Sequence, residues 1–412
     1  MGQGSPDPTL PTTFAPQTVK GHIVQEIRVT KRGAERWTHG HPWIFASDVT
    51  SDEGPAGVAT ISDHRGKAIG KALYSPASEI RVRLLDRRPN ATIDQAWWRE
   101  RITQALARRG PIDASAYRVV HGEGDGLPSL IIDRYDRWVV IQILSAGLET
   151  CRSDILGALL EVLAPEGILA RHDPNVRRRE GLPQEIVLLH GSVPEDIRVR
   201  EGPIGYLAAP WSGQKTGAFL DQRINRLRAG QLMPAGGRGL DCFSYHGSFA
   251  LHLARHARSV VAMDVSAEAL ARGRANASLN GFTNLTWLEA DAFEGLRDLD
   301  RAKERFDVVV VDPPAFAKNK GSVHQALKGY KDINLRAIRL VSPGGHLVTA
   351  SCSYHVRWPE FLGMLAEAAA DSGRRVTMVE HLTQPADHPE VLTIPETGYL
   401  KGAVLRVDPG SG

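Results

Sequence analysis

Along the C-terminal half of this 412-residue chain, short apolar runs alternate with longer segments whose apolar residues recur at helical spacing. From about Trp211, "RGLDCF" reads as a strand, "SFALHLARHA" as a helix and "SVVAMDVS" as a strand. "AEALARGRANASLNG" is a helix stopped by Asn280-Gly281. The strands "NLTWLEADAF" and "FDVVVVDPP", the helix "VHQALKGYKDINLRAIRLV", the strand "GHLVTASCS" and the helix "WPEFLGMLAEAAADSG" follow. This alternation predicts an α/β fold, a parallel sheet covered on both faces. The closing pair, "RVTMVEHLTQ" and "KGAVLRV", predicts an antiparallel addition at one edge.

Upstream the pattern is shorter. From about Ile23 to Arg88 the stretches "HIVQEIRVT", "GVATISDHRGKAIGKALYS" and "IRVRLLDRR" predict a small β-barrel. Between its first strands, "KRGAERWTHGHPWIFASDV" interleaves basic residues with Trp37, Trp43 and Phe45. Nucleic-acid surfaces use aromatic faces for stacking and cations for phosphate contact. Trp43 and Phe45 fit a barrel core as well; Lys31, Arg32 and Arg36 are the better candidates for RNA contact. From about Ala91 to Pro210, an amphipathic helix precedes the order strand-strand-helix-strand-strand, a compact α+β module. "GEGDGLP" lacks the spaced carboxylates of a calcium loop and reads as a structural turn. Arg177 to Arg179 read as a solvated surface run, with phosphate contact as the alternative. Residues 1–20, rich in Pro and Thr, read as a disordered tail, not a signal peptide. The expected units are therefore residues 1–20, 21–90, 91–210 and 211–412.

Composition adds bounds. Hydrophobic residues at 42% and charged residues at 24% are ordinary for a globular chain. A net charge of +3 fits a nucleic-acid partner without requiring one. Three cysteines argue against a disulfide framework and for a cytoplasmic setting. No stretch approaches the roughly 20 apolar residues of a membrane helix.

Open α/β sheets bind ligands at the carboxyl ends of their strands. There the sequence places Asp241, Asp264, Asp291, Asp312 and the thiol of Cys352. Asp241 leads into the tight turn "CFSYHGSF", and Asp264 lies where an acid can hold both ribose hydroxyls of a cofactor. Any one such acid can equally cap the next helix; the set of four is the more specific signal. The turn is not G-x-G-x-x-G, so a pyrophosphate site is poorly supported. In "DPPAF", Pro313 and Pro314 fix the backbone beside Asp312, and Phe316 offers a face for a base. His252 with His256, and His39 with His41, lack a third ligand and read as surface or packing groups, so no metal is expected.

"DCFSYHGSF", "VVAMDVS", "EADAF", "VVVVDPPAFAKNK", "GYKDINLRAIRLVSPGG" and "SCS" resemble, in order, the motifs of class I S-adenosylmethionine-dependent methyltransferases. More narrowly, the chain resembles the RlmI-type 23S rRNA cytosine-5 methyltransferases. "KTGAFLDQRINR", "QPADHP" and "GYLKG" carry the same likeness. The resemblance spans nearly the whole chain after the tail. It implies an N-terminal PUA-like barrel, a central module and a C-terminal Rossmann-like methyltransferase sheet. The chain departs from the family's usual turn at His246 and Ser248, and has Ala315 where some members carry Lys.

The resemblance also implies roles. Asp241, Phe243, Ser244 and Gly247 would border the methionine part of S-adenosylmethionine. Asp264 would take the ribose, Asp291 the adenine amino group and Ala292 the ring edge. Lys215, Thr216, Phe219, Asp221, Gln222 and Arg223 would close over the cofactor. Asp312 would face the target base, with Pro313, Pro314 and Phe316 beside it.

Carbon 5 of cytosine is a poor nucleophile until a thiolate adds at carbon 6, so the chemistry requires a cysteine beside the cofactor. Cys352 stands there; Cys151 and Cys242 read as packing groups. The thiol is expected to have a lowered pKa. The implied partner is 23S rRNA, held through Lys and Arg; a homodimer stays open. Methylation of a guanine nitrogen or of uracil carbon 5, and a non-catalytic RNA-binding role, are the alternatives.

Overall fold

The computed structural model describes residues 25–51, 54–317 and 319–410; the expected tail, residues 1–20, lies outside them. The N-terminal unit contains β1 (Gln25–Arg28), α1 (Lys31–Thr38), β2 (Trp43–Ile44), β3 (Gly57–Ser62), β4 (Ala68–Tyr74) and β5 (Val82–Asp86). Its sheet has the order β1-β3-β4-β5-β2. The basic-aromatic stretch thus carries a helix. Thr30 caps it, accepting from the Gly33 amide at 3.1 Å and donating to Asp48 at 2.8 Å. Trp37 lies inside with Ile27, Ile44 and Ile61, which fixes the opposite, basic face outward.

The central unit contains α2 (Gln95–Ala107), β6 (Ala116–His121), β7 (Leu130–Tyr135), β8 (Trp138–Ile143), α3 (Ala146–Glu149) and α4 (Arg152–Leu163). It continues through β9 (Gly167–His172), α5 (Val176–Arg179) and β10 (Glu185–Gly191). Its sheet order is β10-β9-β8-β7-β6. The expected strand-strand-helix-strand-strand order therefore needs one more strand, β6, ahead of the others. A bulge between Arg118 and Val120 breaks its alternation: Val119, Val120 and His121 are buried in succession. "GEGDGLP" is a turn; the Asp125 carboxylate accepts from the His121 amide at 2.6 Å and pairs with Arg108 at 3.1 Å. Arg177 departs from the surface reading. It is buried, donating to the Pro183 carbonyl at 2.8 Å and pairing with Glu149 at 2.9 Å, because it satisfies backbone oxygens closing the loop. Arg178 and Arg179 are exposed as expected.

A hairpin, β11 (Ile197–Glu201) and β12 (Ile204–Ala208), leads into the C-terminal unit. That unit contains α6 (Arg223–Leu232), β13 (Arg238–Cys242), α7 (Ser248–Ala254), β14 (Ser259–Asp264), α8 (Ala267–Leu279), β15 (Leu285–Glu289) and α9 (Ala292–Arg301). It ends with β16 (Phe306–Val311), α10 (Val323–Leu340), β17 (Val341–Ser351), α11 (Trp358–Ser372), β18 (Arg375–Leu382) and β19 (Lys401–Asp408). The sheet runs β15-β14-β13-β16-β17-β19-β18. Its first five strands pair in parallel, and β19 is antiparallel to both neighbours. The expected antiparallel pair is present, with the last strand inserted between β17 and β18. Apolar side chains leave both faces of β16: Val309 and Val311 pack with α10 and α11, Val308 and Val310 on the side of α7. Among the described residues, no helix is long and apolar enough to cross a membrane.

Strand order reverses between β13 and β16, which opens a crevice above their carboxyl ends. Buried polar links hold the units around it. Asp133 pairs with Arg118 at 2.8 Å and accepts from Thr216 at 2.6 Å. Asp387 accepts from the Arg118 amide at 3.0 Å and pairs with Arg223 at 2.8 Å. The hairpin is tied to the sheet domain by Glu201, which pairs with Arg226 at 2.5 Å and with His252 at 3.0 Å.

Candidate active site

The crevice holds a cavity of about 430 Å³. Four segments form its walls. The turn after β13 contributes Phe243, Ser244 and Tyr245; the end of β14 contributes Asp264, Val265 and Ser266; the end of β16 contributes Asp312, Pro313, Pro314 and Ala315; the end of β17 contributes Cys352. The segment before α6 closes over it with Gln214, Lys215, Phe219, Asp221 and Gln222, while Ser248 and Phe249 at the start of α7, Arg226 and Leu400 complete the lining.

The turn after β13 is tight. Phe243, Tyr245 and Gly247 all have left-handed backbone, with φ of 63°, 50° and 77°. Glycine is required at 247, since a Cβ there would lie 2.6 Å from the Trp287 ring. Asp264 holds the turn open: one carboxylate oxygen accepts from the Tyr245 amide at 2.8 Å, the other from the Ser266 amide at 2.9 Å. Lys215 pairs with Asp221 at 2.7 Å, and the Tyr399 hydroxyl donates to the same carboxylate at 2.7 Å. Burial would raise the Asp221 pKa, but the Lys215 and His388 charges and these two bonds outweigh it, holding the carboxyl well below the usual range.

On the opposite wall, Gln222 donates to Asp312 at 2.8 Å, and Asn225 fixes Gln222 with a 2.6 Å bond to its carbonyl. Burial, and then the Asp221 charge, push the Asp312 carboxyl up to about 6. The Cys352 thiol lies 4.0 Å from the Pro313 carbonyl. Its loop is held by Ser353, whose hydroxyl contacts Tyr330 at 2.9 Å and accepts from the Ala317 amide at 3.2 Å. The expected lowering of the thiol pKa is not found. Burial, and then the Asp312 carboxylate, push it up to about 11 against the opposing charge of Lys215.

Of the residues proposed from the sequence, the cavity thus brings together Lys215, Phe219, Asp221, Gln222, Phe243, Ser244, Asp264, Asp312, Pro313, Pro314 and Cys352. Others stand behind it. Asp241 is buried and accepts from the Ala250 amide at 2.8 Å, bracing α7. Thr216 and Arg223 face the inter-unit links. Asp291 caps α9, accepting from the Phe293 amide at 2.9 Å, with Ala292 buried behind it. Phe316 packs against Tyr330, ring centroids 4.7 Å apart, rather than lining the cavity. Tyr245 and Val265, which the sequence did not single out, line it; Val265 is 71% exposed directly after Asp264, an apolar position whose signal was its place in the chain.

Lys31, Arg32 and Arg36 lie far along the chain, on α1. Arg32 is engaged by Asp48 at 2.7 Å and Lys31 by Glu35 at 3.7 Å. Arg36 stacks over Phe45, 4.8 Å from the ring centroid, and both line a surface groove with Arg32 and His39. Trp43 is half-buried and donates to Glu123 at 2.9 Å. His252 is buried against Glu201, in accord with a packing role.

The donor set fits S-adenosylmethionine. The Ser244 hydroxyl and one Asp221 carboxylate oxygen are buried without a hydrogen-bond partner among the described residues, and both residues line the cavity. An anionic oxygen without a donor suits an ammonium group. Val265 and Phe243 supply the apolar surface an adenosyl group requires.

Residues 191–406 match the family model of S-adenosylmethionine-dependent methyltransferases, and residues 27–87 match that of the PUA-like domain. The ribosomal RNA large subunit methyltransferase I of Klebsiella pneumoniae (strain 342) is 41% identical over 380 residues, covering 89% of this chain and 94% of that protein. The enzyme of the same name from Alteromonas mediterranea is 38% identical over 377 residues, covering 89% and 95%. Among solved structures, a SAM-dependent methyltransferase from Streptococcus mutans superposes with a TM-score of 0.78 at 19% identity, covering 93% of this chain and 100% of that one. A methyltransferase complexed with SAH gives 0.80 at 20% identity and the same coverage. This chain is therefore an S-adenosylmethionine-dependent methyltransferase and belongs to the ribosomal RNA large subunit methyltransferase I family.

Proposed function

We propose that the enzyme methylates carbon 5 of one cytosine in 23S rRNA through a covalent adduct on Cys352. The observation that carries this reading is the placement of the three cysteines. Cys352 lines the cofactor cavity, whereas Cys151 and Cys242 are buried in the cores. S-adenosylmethionine, when bound, supplies an electrophilic methyl group.

The residues then divide the work. The Cys352 thiolate adds to carbon 6, and the ring electrons move toward N3 and carbon 5. Asp312, with its carboxyl near 6, is partly protonated at neutral pH. Its O–H donates to N3 while its carbonyl accepts from the exocyclic amine, a pairing that cytosine matches and uracil does not. Gln222 holds that carboxyl in register. After methyl transfer to carbon 5, water takes the carbon 5 proton, and the C–H electrons form the C5=C6 bond as the C6–S bond breaks and returns the thiolate. Pro313 and Pro314 keep this wall rigid, and the target nucleotide must leave its stack to reach it. Arg36 and Phe45 give the surface groove beside α1 a cation and a ring for RNA held outside the cavity. Sequencing 5-methylcytosine in 23S rRNA with and without the gene tests the reading: one mark is lost on deletion, and an unchanged map rejects the substrate.

A further inference from the structure

Lys401 opens β19 directly opposite Ser351 in the β17–β19 pairing, one residue before Cys352. Its side chain is buried, and its Nζ donates to two carbonyls, those of Ser353 and Tyr399, each at 2.7 Å. No carboxylate pairs with it within ion-pair distance among the described residues. A buried ammonium held only by neutral oxygens is costly unless an anion joins it. The two bonds use two of its three N–H groups and leave one free.

We infer that Lys401 is the positioning residue for the nucleophile: it pins the Ser351–Ser353 loop to β19 and gives the Cys352 thiolate its counter-charge. This rests on the reading of Cys352 as nucleophile. The groups around the thiol are Asp312 at the end of β16, Lys215 and Asp221 before α6, Tyr330 on α10, and Tyr399 with Lys401 at β19. Of these, Lys215 is already neutralised by Asp221, which leaves Lys401 as the cation free to answer a new negative charge. Burial pushes the Lys401 ammonium down to about 8, with the Cys352, Glu360 and Glu390 charges opposing. Below that value the ammonium persists, so a thiolate formed there meets a positive charge.

The test is the rate of iodoacetamide alkylation at Cys352 against pH, read by peptide mass spectrometry on the full-length chain. Folded Lys401→Met is expected to react about tenfold more slowly at pH 8, its profile displaced upward by about one unit, while Lys401→Arg stays near the parent rate. A folded Lys401→Met with the parent profile overturns the inference. Should Lys401→Met not fold, NMR titration of the Lys401 ¹³Cε decides instead. Its midpoint is expected to fall in Cys352→Ser relative to the parent chain, and an equal midpoint overturns the inference. Methyl transfer by Cys352→Ala judges the nucleophile separately, because alkylation reports on the thiol whether or not the reaction uses it.

Discussion

The Cys352 sulfur and the Pro313 carbonyl oxygen lie 4.0 Å apart, so the ends of two neighbouring parallel strands, β16 and β17, share one wall of the cofactor cavity. In the proposed reaction Asp312 would reach the base from the strand beside the one that carries the thiol.

Asp312→Asn should lose methyl transfer yet stabilise the fold. A carboxyl raised above its unfolded value binds its proton more tightly in the native state. Its contribution to stability is fully present below the unfolded pKa near 3.8 and is lost as pH rises through about 6. An amide removes that loss, so the variant should gain on the order of 1–3 kcal/mol at pH 8 and little at pH 4. Denaturant melts at the two pH values check the sign.

Arg226→Ala should destabilise strongly, by about 3–5 kcal/mol, because it strands the Glu201 carboxylate in the core between the hairpin and α7. Burial raises the Glu201 pKa, but Arg226 outweighs it and brings it down to about 2. The parent chain should therefore hold this contribution above pH 4.5 and lose it as pH falls toward 2. Acid melts of Glu201→Gln should lack that limb.

Gly247→Ala should cost about 1–3 kcal/mol, since the new Cβ meets Trp287 at a left-handed position. Cofactor affinity, read by calorimetry, should fall with it, because the same turn presents Ser244 to the cavity.

Arg36→Ala should weaken RNA binding uniformly across sequences and reduce the slope of log affinity against log salt by roughly 0.7–0.9. Arg32→Ala should change it less, because Asp48 already holds that guanidinium. Filter binding at several salt concentrations separates the two.

The sheet was legible because apolar strands alternate with helical spacing, four strand ends carry an acid, and a stop signal such as Asn280-Gly281 marks a helix end. Cys352, Asp312 and Asp264 could be placed on one rim for that reason. Other features depend on partners distant in sequence. The β6 strand hides behind a bulge, and the burial of Arg177 depends on Pro183 and Glu149. The raised thiol pKa follows from burial and then from Asp312, 40 positions earlier in a chain that pattern reads only locally. Lys401 reads as an ordinary strand-opening lysine until the register sets it opposite Ser351. Asp291 fits both helix cap and adenine contact on paper, and its bonds to the Phe293 and Glu294 amides show the cap.

The most direct measurement is covalent capture. RNA carrying 5-fluorocytosine at the target cannot release its carbon 5 substituent as a proton, so the thiol cannot leave after methyl transfer. Incubated with the enzyme and its cofactor and digested, such RNA should remain attached to the peptide containing Cys352, and the Cys352→Ala chain should give no adduct and no methyl transfer. An alanine variant that still methylates, or a parent enzyme that turns over without an adduct, would contradict the account.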